Sequence, residues 1–220
     1  MKDVSLLTNT LISIMIESRY FFMKKIEFIW RHLLFEAVEK GQPSFRQQDL
    51  SVLFHISSST VNLALVPLRS FGAVKVGGRG FEVIDAEKLL FHWANHRLMP
   101  GHVTESLRVA LPVREIEQQL PAGSIPTAYT AVRERFGDPP ADYNKVYCYH
   151  PYPAEVVSRF HKEIGKGPEN VFVFTADPFM SRYGHRVTLG QLYVDLWNLA
   201  DWYAKDFCRF VKDAIDELLS

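Results

Sequence analysis

Two short amphipathic segments and a glycine-rich hairpin pattern follow one another between residues 45 and 85, and this order constrains the fold more than any other feature of the chain. The first segment places Leu50, Leu53 and Phe54 on one face. A serine triplet at residues 57–59 then offers a hydroxyl cap to a second helix. The stretch AVKVGGRGFEVID alternates apolar and polar residues on both sides of a glycine-rich turn, which predicts a β-hairpin with a basic tip.

A longer helix precedes these elements. Apolar residues recur at helical spacing from Phe22 to Glu39, and Gly41 and Pro43 end the pattern. Helix, helix-turn-helix and hairpin in this order predict a winged helix-turn-helix domain over residues 22–100. Two residues depart from the usual pattern. His55 stands in the turn where glycine is common, and Pro67 is expected to kink or shorten the second helix.

Double-stranded DNA is the partner that this arrangement predicts. A second helix of this kind lies in the major groove with its N-terminal residues at the base edges, while helix ends and basic side chains meet phosphates. The residues that we expect to contact DNA are Arg46, Gln47, Ser57, Ser58, Ser59, Thr60, Asn62, Lys75 and Arg79. A winged helix can also serve as a protein-interaction adaptor, so that alternative stays open.

The charge distribution favours two parts with different partners. The chain has 220 residues with 25 basic and 25 acidic side chains, so no global basic excess is present. Residues 23–100 hold ten basic and seven acidic residues, whereas residues 101–220 hold thirteen and sixteen. A mildly basic front and an acidic back are consistent with a DNA-binding part followed by a part that binds something else.

The remainder of the chain predicts a second domain and a short N-terminal extension. Pro100 and Gly101 mark the expected boundary, and residues 101–220 alternate helical patterns with apolar strand-like runs. The predicted fold class is therefore α+β, with a winged helix followed by a mixed α/β effector or interaction domain. Residues 1–21 are too interrupted for a membrane span and are expected to form a helix that takes part in self-association.

Histidine and cysteine spacing gives no strong metal signal. His92 and His96 lie four residues apart, as in zinc-binding helices, but Trp93 replaces the usual glutamate and no third ligand is evident beyond His102. We interpret them as surface histidines and expect neither metal nor cofactor. Cys148 and Cys208 form no disulfide framework, which predicts a cytoplasmic protein.

The stretches GFEVIDAEKLLFHWANHR, GSIPTAYTAVRERFGDPPADYNKVYCY and LYVDLWNLADWYAKDF carry a resemblance to a known family. Over residues 22–220 the chain resembles winged-helix regulators of the AbiEi-type antitoxin family of type IV toxin–antitoxin systems. The resemblance implies an N-terminal domain that binds DNA, often the promoter of its own operon, and a possible toxin partner. It also implies a C-terminal domain related in shape to nucleotidyltransferases.

A nucleotidyltransferase enzyme or pseudo-enzyme is the other alternative, and its required acids test it. Gly123 and Ser124 match a phosphate-binding turn, but the following run from Val146 to Tyr149 has no carboxylate to hold metal ions. Only Asp177 can stand for an acid, because Asp138 and Asp142 precede that run. The sequence therefore predicts a protein that is not an enzyme.

Aromatic residues in the second half have no assigned role from the sequence. Trp197 and Trp202 are expected in the core or at an interface, and the tyrosines between residues 143 and 152 fit either packing or a partner surface. A single helix-turn-helix contacts one half-site, which predicts a homodimer on a symmetric operator.

Overall fold

A computed structural model of the protein describes residues 23–220. The predicted N-terminal helix within residues 1–21 lies outside the described residues. Within residues 23–220, no helix combines the length and the apolar character that crossing a membrane requires.

The front half consists of short helices and three short strands. Its elements are α1 (Lys25–Leu34), a π-helical turn (Phe35–Glu39), β1 (Ser44–Phe45), α2 (Gln47–Leu53), α3 (Ser58–Ser70), β2 (Val74–Gly77), β3 (Gly80–Val83) and α4 (Ala86–His96). Asp85 caps α4 as its side chain accepts a hydrogen bond from the backbone of Lys88 at 2.9 Å. Helix α1 packs against both α3 and α4, and Leu33, Leu65 and Leu89 of these helices are almost completely buried in one core.

The strands of the front half form an antiparallel sheet in the order β1-β3-β2. Gly77 pairs with Gly80 across the predicted hairpin, and Phe45 pairs with Phe81. A side chain at position 80 is sterically excluded, because its Cβ would lie 2.2 Å from the carbonyl oxygen of Phe45. The glycine at position 80 is therefore what lets β1 join the hairpin.

The second half is built on a four-stranded sheet flanked by helices. Its elements are a 3₁₀ turn (Met99–His102), β4 (Val103–Leu107), α5 (Val113–Gln118), β5 (Ile125–Thr127), α6 (Ala128–Phe136), β6 (Val146–His150), α7 (Pro153–Arg159), β7 (Val171–Thr175), a second 3₁₀ turn (Met180–Tyr183), α8 (Leu189–Trp197) and α9 (Ala204–Leu219). The strand order is β4-β7-β6-β5, with only β6 and β7 parallel. Helices and two separate small sheets give a mixed architecture consistent with the expected α+β class.

Alternate residues of β6 and β7 face two different cores. Cys148 and Val173 pack with α5 and α7, whereas Tyr149 and Phe174 belong to a larger core. That larger core contains buried residues from α1, α3, α4, α8 and α9, so the two halves are packed together. The division of the chain at residues 100–101 stays a prediction.

Several predicted elements have different limits in the structure. The helix expected from Phe22 to Glu39 is α-helical only to Leu34 and continues as a π-helical turn. Pro67 does not shorten α3, which continues to Ser70 because the backbone N–H of Phe71 still donates to the Pro67 carbonyl at 3.2 Å. Residues 154–164 carry a helical pattern of apolar residues, but α7 ends at Arg159 and Ile164 forms a β-bridge with Val109. Strands β1, β4 and β5 were not predicted.

Candidate nucleic-acid interface

The turn between α2 and α3 is held by short polar side chains. His55 adopts a positive φ of 50°, the conformation that glycine takes most easily. The Ser51 hydroxyl donates to the Ile56 carbonyl at 2.5 Å. Ser57 occupies the N-cap of α3, where its hydroxyl accepts from the Thr60 backbone at 3.2 Å and also contacts the Ser59 and Thr60 hydroxyls. The Ser57 side chain therefore caps α3.

The N-terminal end of α3 is open to solvent. Ser57, Ser58, Ser59 and Asn62 are exposed, and Thr60 is half-buried. Because the first backbone N–H groups of a helix lack helical partners, this end offers donors to an anion in addition to the serine hydroxyls.

Asn62 is already paired within the helix. Its Oδ1 accepts a hydrogen bond from Nη2 of Arg69, seven residues later, and Nε of Arg69 lies 3.4 Å from the Leu65 carbonyl. Sequence reasoning missed Arg69, although its position two turns after Asn62 on one helix face could have indicated it. The two side chains thus present one joint hydrogen-bonding unit in which Arg69 contributes the positive charge.

The outer face of α3 also carries apolar side chains. Leu63 is 63% exposed and Val66 is 50% exposed. They follow Ser59 and Asn62 along the same face at helical spacing. This face is consequently mixed, with polar groups toward its start and aliphatic groups toward its middle.

Three of the predicted basic residues come together in one open groove of about 470 Å³. Arg46 comes from the N-cap of α2, Lys75 from β2 and Arg79 from the hairpin turn. Asp49 and Glu82 line the same groove, so its basic excess is one charge. All five of these side chains belong to exposed residues.

The predicted contact residues fall into two groups. The α3 residues and the half-buried Gln47 do not line the basic groove. Arg46, Lys75 and Arg79 come together because Arg46 lies at the N-cap of α2 and the other two lie on the β2–β3 hairpin, which pairs with β1. The polar residues of α3 lie together at the start of that helix, which Ser57 caps. The sequence indicated both groups without showing that they are separate.

The histidine pair on α4 packs against a tryptophan. The Trp30 ring lies 4.8 Å from His92 and 5.2 Å from His96, edge to face in both cases. Burial lowers the pKa of His92, and the neighbouring His96 lowers it further. His92 is thus half-buried and only His96 is exposed, which corrects the interpretation of both as surface residues. In the described part of the chain, no three histidine, cysteine or acidic side chains are grouped as metal ligands.

Asp177 is engaged in a buried ion pair. Both of its oxygens accept hydrogen bonds from the Arg31 guanidinium, at 2.6 and 2.8 Å, and a third donor comes from the Phe179 backbone at 3.0 Å. The Asp177 carboxylate is therefore already occupied by donors of the protein itself. Ser124 also differs from expectation, because β5 separates it from the start of α6 at Ala128, so the Gly-Ser turn does not open a helix.

A second buried network joins α1, α4, β6 and α8. Arg97 contacts Glu27 at 3.0 Å, Asp195 at 3.3 Å and the Tyr149 hydroxyl at 3.0 Å. Burial would raise the pKa of Glu27, but the charge of Arg97 and the hydrogen bonds from Trp93, Arg97 and the Lys24 backbone together lower it. At Asp195 the effect of burial is larger than that of its partners, so its pKa rises. Thr127 stands at the N-cap of α6, but its hydroxyl donates to Asp195 at 2.7 Å and does not cap the helix.

Aromatic residues of the second half are divided between core and surface. Trp197 is 45% exposed and Trp202 is 82% exposed, so neither is a core residue as the sequence had allowed. Tyr147 and Tyr149 are buried in β6, whereas Tyr152 is 69% exposed. The tyrosine-rich segment therefore serves mainly for packing.

Comparisons of the chain with protein-family models, curated proteins and solved structures found no match in any of the three.

Proposed function

We propose that this protein is a regulator that binds double-stranded DNA through a winged helix formed by α1 to β3. The order of helices and strands supports the proposal, because β1 joins the hairpin β2–β3 to make a three-stranded antiparallel sheet beside α2 and α3. In this arrangement α3 is the recognition helix and the β2–β3 hairpin is the wing.

The observation that carries the proposal is the convergence of Arg46, Lys75 and Arg79 on one groove. These cations come from three elements that are separate in the sequence, and they meet on the exposed surface of the wing. A groove with exposed cations from a hairpin and a helix start suits a phosphate backbone, which positions the protein without regard to sequence. Asp49 and Glu82 in the same groove keep this attraction weak.

Sequence-specific contacts come from α3 in this proposal. Ser58 and Ser59 lie at its open N-terminus, where base edges are reached in helix-turn-helix complexes. Arg69 or Asn62 can donate to guanine or adenine, and Leu63 and Val66 can contact thymine methyl groups. The Asn62–Arg69 hydrogen bond means that a two-point contact from Asn62 to adenine requires Arg69 to release its oxygen.

The second half supplies the effector or interaction function. The resemblance to AbiEi-type antitoxins supports an autoregulatory protein, with a toxin as the partner of residues 101–220. A homodimer follows from the helix-turn-helix, since one such unit contacts a single half-site. The packing of α8 and α9 into the shared core provides a physical connection between this part and the DNA-binding part.

Selection from a random duplex library tests the proposal. The full chain at low salt should retain duplexes that carry two related half-sites about one helical turn apart, because a symmetric dimer places two α3 helices at that spacing. Arg79→Ala should reduce retention of all sequences, whereas Arg209→Ala, which removes an exposed cation on α9, should not. Failure of the wild-type chain to retain any duplex at low salt contradicts the proposal.

A protein-interaction adaptor is the second candidate, and the exposed Leu63 and Val66 favour it. Aliphatic side chains on the outer face of a helix are typical of a helix that docks on another protein. The variant Leu63→Ser distinguishes the two candidate functions. A DNA-binding protein should keep its non-specific affinity for DNA, whereas an adaptor should lose its affinity for the protein partner.

A further inference from the structure

A cleft of about 390 Å³ lies between the large sheet and the segment that links α8 to α9. Phe172 and Phe174 of β7 and Tyr147 of β6 form its aromatic wall, Met99 closes it on the side of the front half, and residues 198–201 form the opposite wall. This volume falls within the usual range for small-molecule sites, which are mostly apolar with a few polar groups.

The walls of the cleft are held in place by hydrogen bonds. Asn198 donates to the carbonyl of Ala94 at 3.1 Å and to that of Val194 at 2.9 Å. Asp201 accepts from Lys145 at 2.5 Å and from the Tyr129 hydroxyl at 2.8 Å. Because the wall formed by residues 198–201 is tied to α4, α8, α6 and the start of β6, the cleft is largely preformed.

The aromatic wall offers a stacking surface. The Tyr147 and Phe172 rings stack with their centroids 4.8 Å apart and their planes 15° apart. Phe172 is only partly buried, and Nζ of Lys145 lies 5.7 Å from the centroid of its ring. The ring is therefore already in contact with a cation, which its negative face attracts.

The charges of the cleft favour a cation. Its lining contains one base and two acids: Lys145, Glu169 and Asp201. Lys145 and Asp201 pair with each other, so the exposed Glu169 provides the net negative charge. An anion would meet Glu169 and the negative faces of the rings, whereas an ammonium group would be attracted by both.

We infer that this cleft is a binding site for a planar aromatic molecule of one or two rings that carries an amine cation. Its ring packs against Phe172 and its ammonium group lies toward Glu169. The inference does not depend on DNA binding, because it rests on the shape and charge of this cleft, to which α2, α3 and the β2–β3 hairpin contribute no residue.

Three indole compounds of similar size test this assignment by isothermal titration calorimetry with the full chain. Tryptamine is a cation, tryptophol is neutral and indole-3-acetate is an anion. Tryptamine should bind with a dissociation constant on the order of 1 mM or tighter. Tryptophol should bind several-fold more weakly and indole-3-acetate at least about tenfold more weakly.

Variants locate the site. Ser106→Phe places a large side chain in the cleft from β4, opposite Phe172, and should abolish tryptamine binding while the fold is kept. Glu169→Gln should weaken tryptamine several-fold without changing tryptophol, and the control Glu155→Gln, at an exposed acid outside the cleft, should change neither. Equal affinities for the three compounds, or tryptamine binding that survives Ser106→Phe in a folded protein, would overturn the assignment.

Discussion

Arg31 in α1 and Asp177 after β7 form a bidentate ion pair across 146 residues of sequence, with nitrogen–oxygen distances of 2.6 and 2.8 Å. Both side chains are almost completely buried. Burial alone would lower the pKa of Arg31, and the adjacent Asp177 carboxylate raises it overall. Gln191 of α8 also accepts from Arg31 at 3.1 Å, so this guanidinium connects α1 of the front half to two segments of the second half.

Asp177→Ala should destabilise the protein by about 3–5 kcal/mol, because it leaves the buried Arg31 charge without its partner. The free energy of unfolding from urea titration measures this loss. The matched control is Asp216→Ala, which breaks an exposed i,i+4 pair with Lys212 and should cost less than about 1 kcal/mol. Equal losses in the two variants would contradict a structural role for the buried pair.

Two glycines of the β2–β3 hairpin should respond very differently to alanine. Gly80→Ala places a Cβ 2.2 Å from the Phe45 carbonyl oxygen, so β1 must separate from β3. Gly78→Ala meets no atom within 4 Å and has no positive φ to strain. Thermal unfolding should show a loss of about 1–3 kcal/mol or more for Gly80→Ala and little change for Gly78→Ala. Similar stability of both variants would refute the close approach of β1.

These two glycines also show what sequence can and cannot predict. The hairpin was predicted because its contacts lie within a few residues of one another. Strand β1 has only two residues, and its pairing with β3 depends on a backbone approach between residues 45 and 80 that no local pattern displays.

The candidate nucleic-acid interface was also predicted only in those parts that depend on local sequence. The polar residues of α3 were predicted from the serine-rich start of that helix. Arg46, Lys75 and Arg79 were predicted individually, but the groove that they share depends on tertiary structure. Thr127 has the residue type and position of a helix cap, yet a buried carboxylate 68 residues later takes its hydrogen bond. Long-range partners of this kind override local preference.

The stability of the protein should fall as the pH drops from 6.5 toward 4. Burial and, to a lesser extent, the charges of Arg182 and Arg31 together lower the pKa of His32 from 6.5 to about 4. In this range the unfolded chain binds a proton at position 32 that the folded protein excludes, so acid favours unfolding.

His32→Phe keeps an aromatic ring beside Phe54 and removes the titrating group. Relative to this variant, the wild type should lose on the order of 2 kcal/mol more between pH 7 and pH 4. Urea titrations at several pH values provide the comparison. Parallel pH profiles for the two proteins would show that His32 is protonated in the folded state.

Asn62 and Arg69 should act as one unit in specific DNA binding. Each alanine variant should cost about 1–3 kcal/mol on a selected operator and little on random duplex. Because the two side chains are hydrogen-bonded to each other, the double variant should cost less than the sum of the single variants. Additive losses in anisotropy titrations would indicate independent contacts.

The salt dependence of binding measures whether Arg46, Lys75 and Arg79 neutralise DNA phosphates. Fluorescence-anisotropy titrations of a labelled duplex between about 50 and 200 mM salt give the slope of log affinity against log salt. The account predicts measurable binding at low salt, a slope reduced by roughly one unit in Arg79→Ala, and a reduction of roughly three units when Arg46, Lys75 and Arg79 are all replaced by alanine. Absence of wild-type binding at low salt, or a slope that the triple variant leaves unchanged, would contradict it.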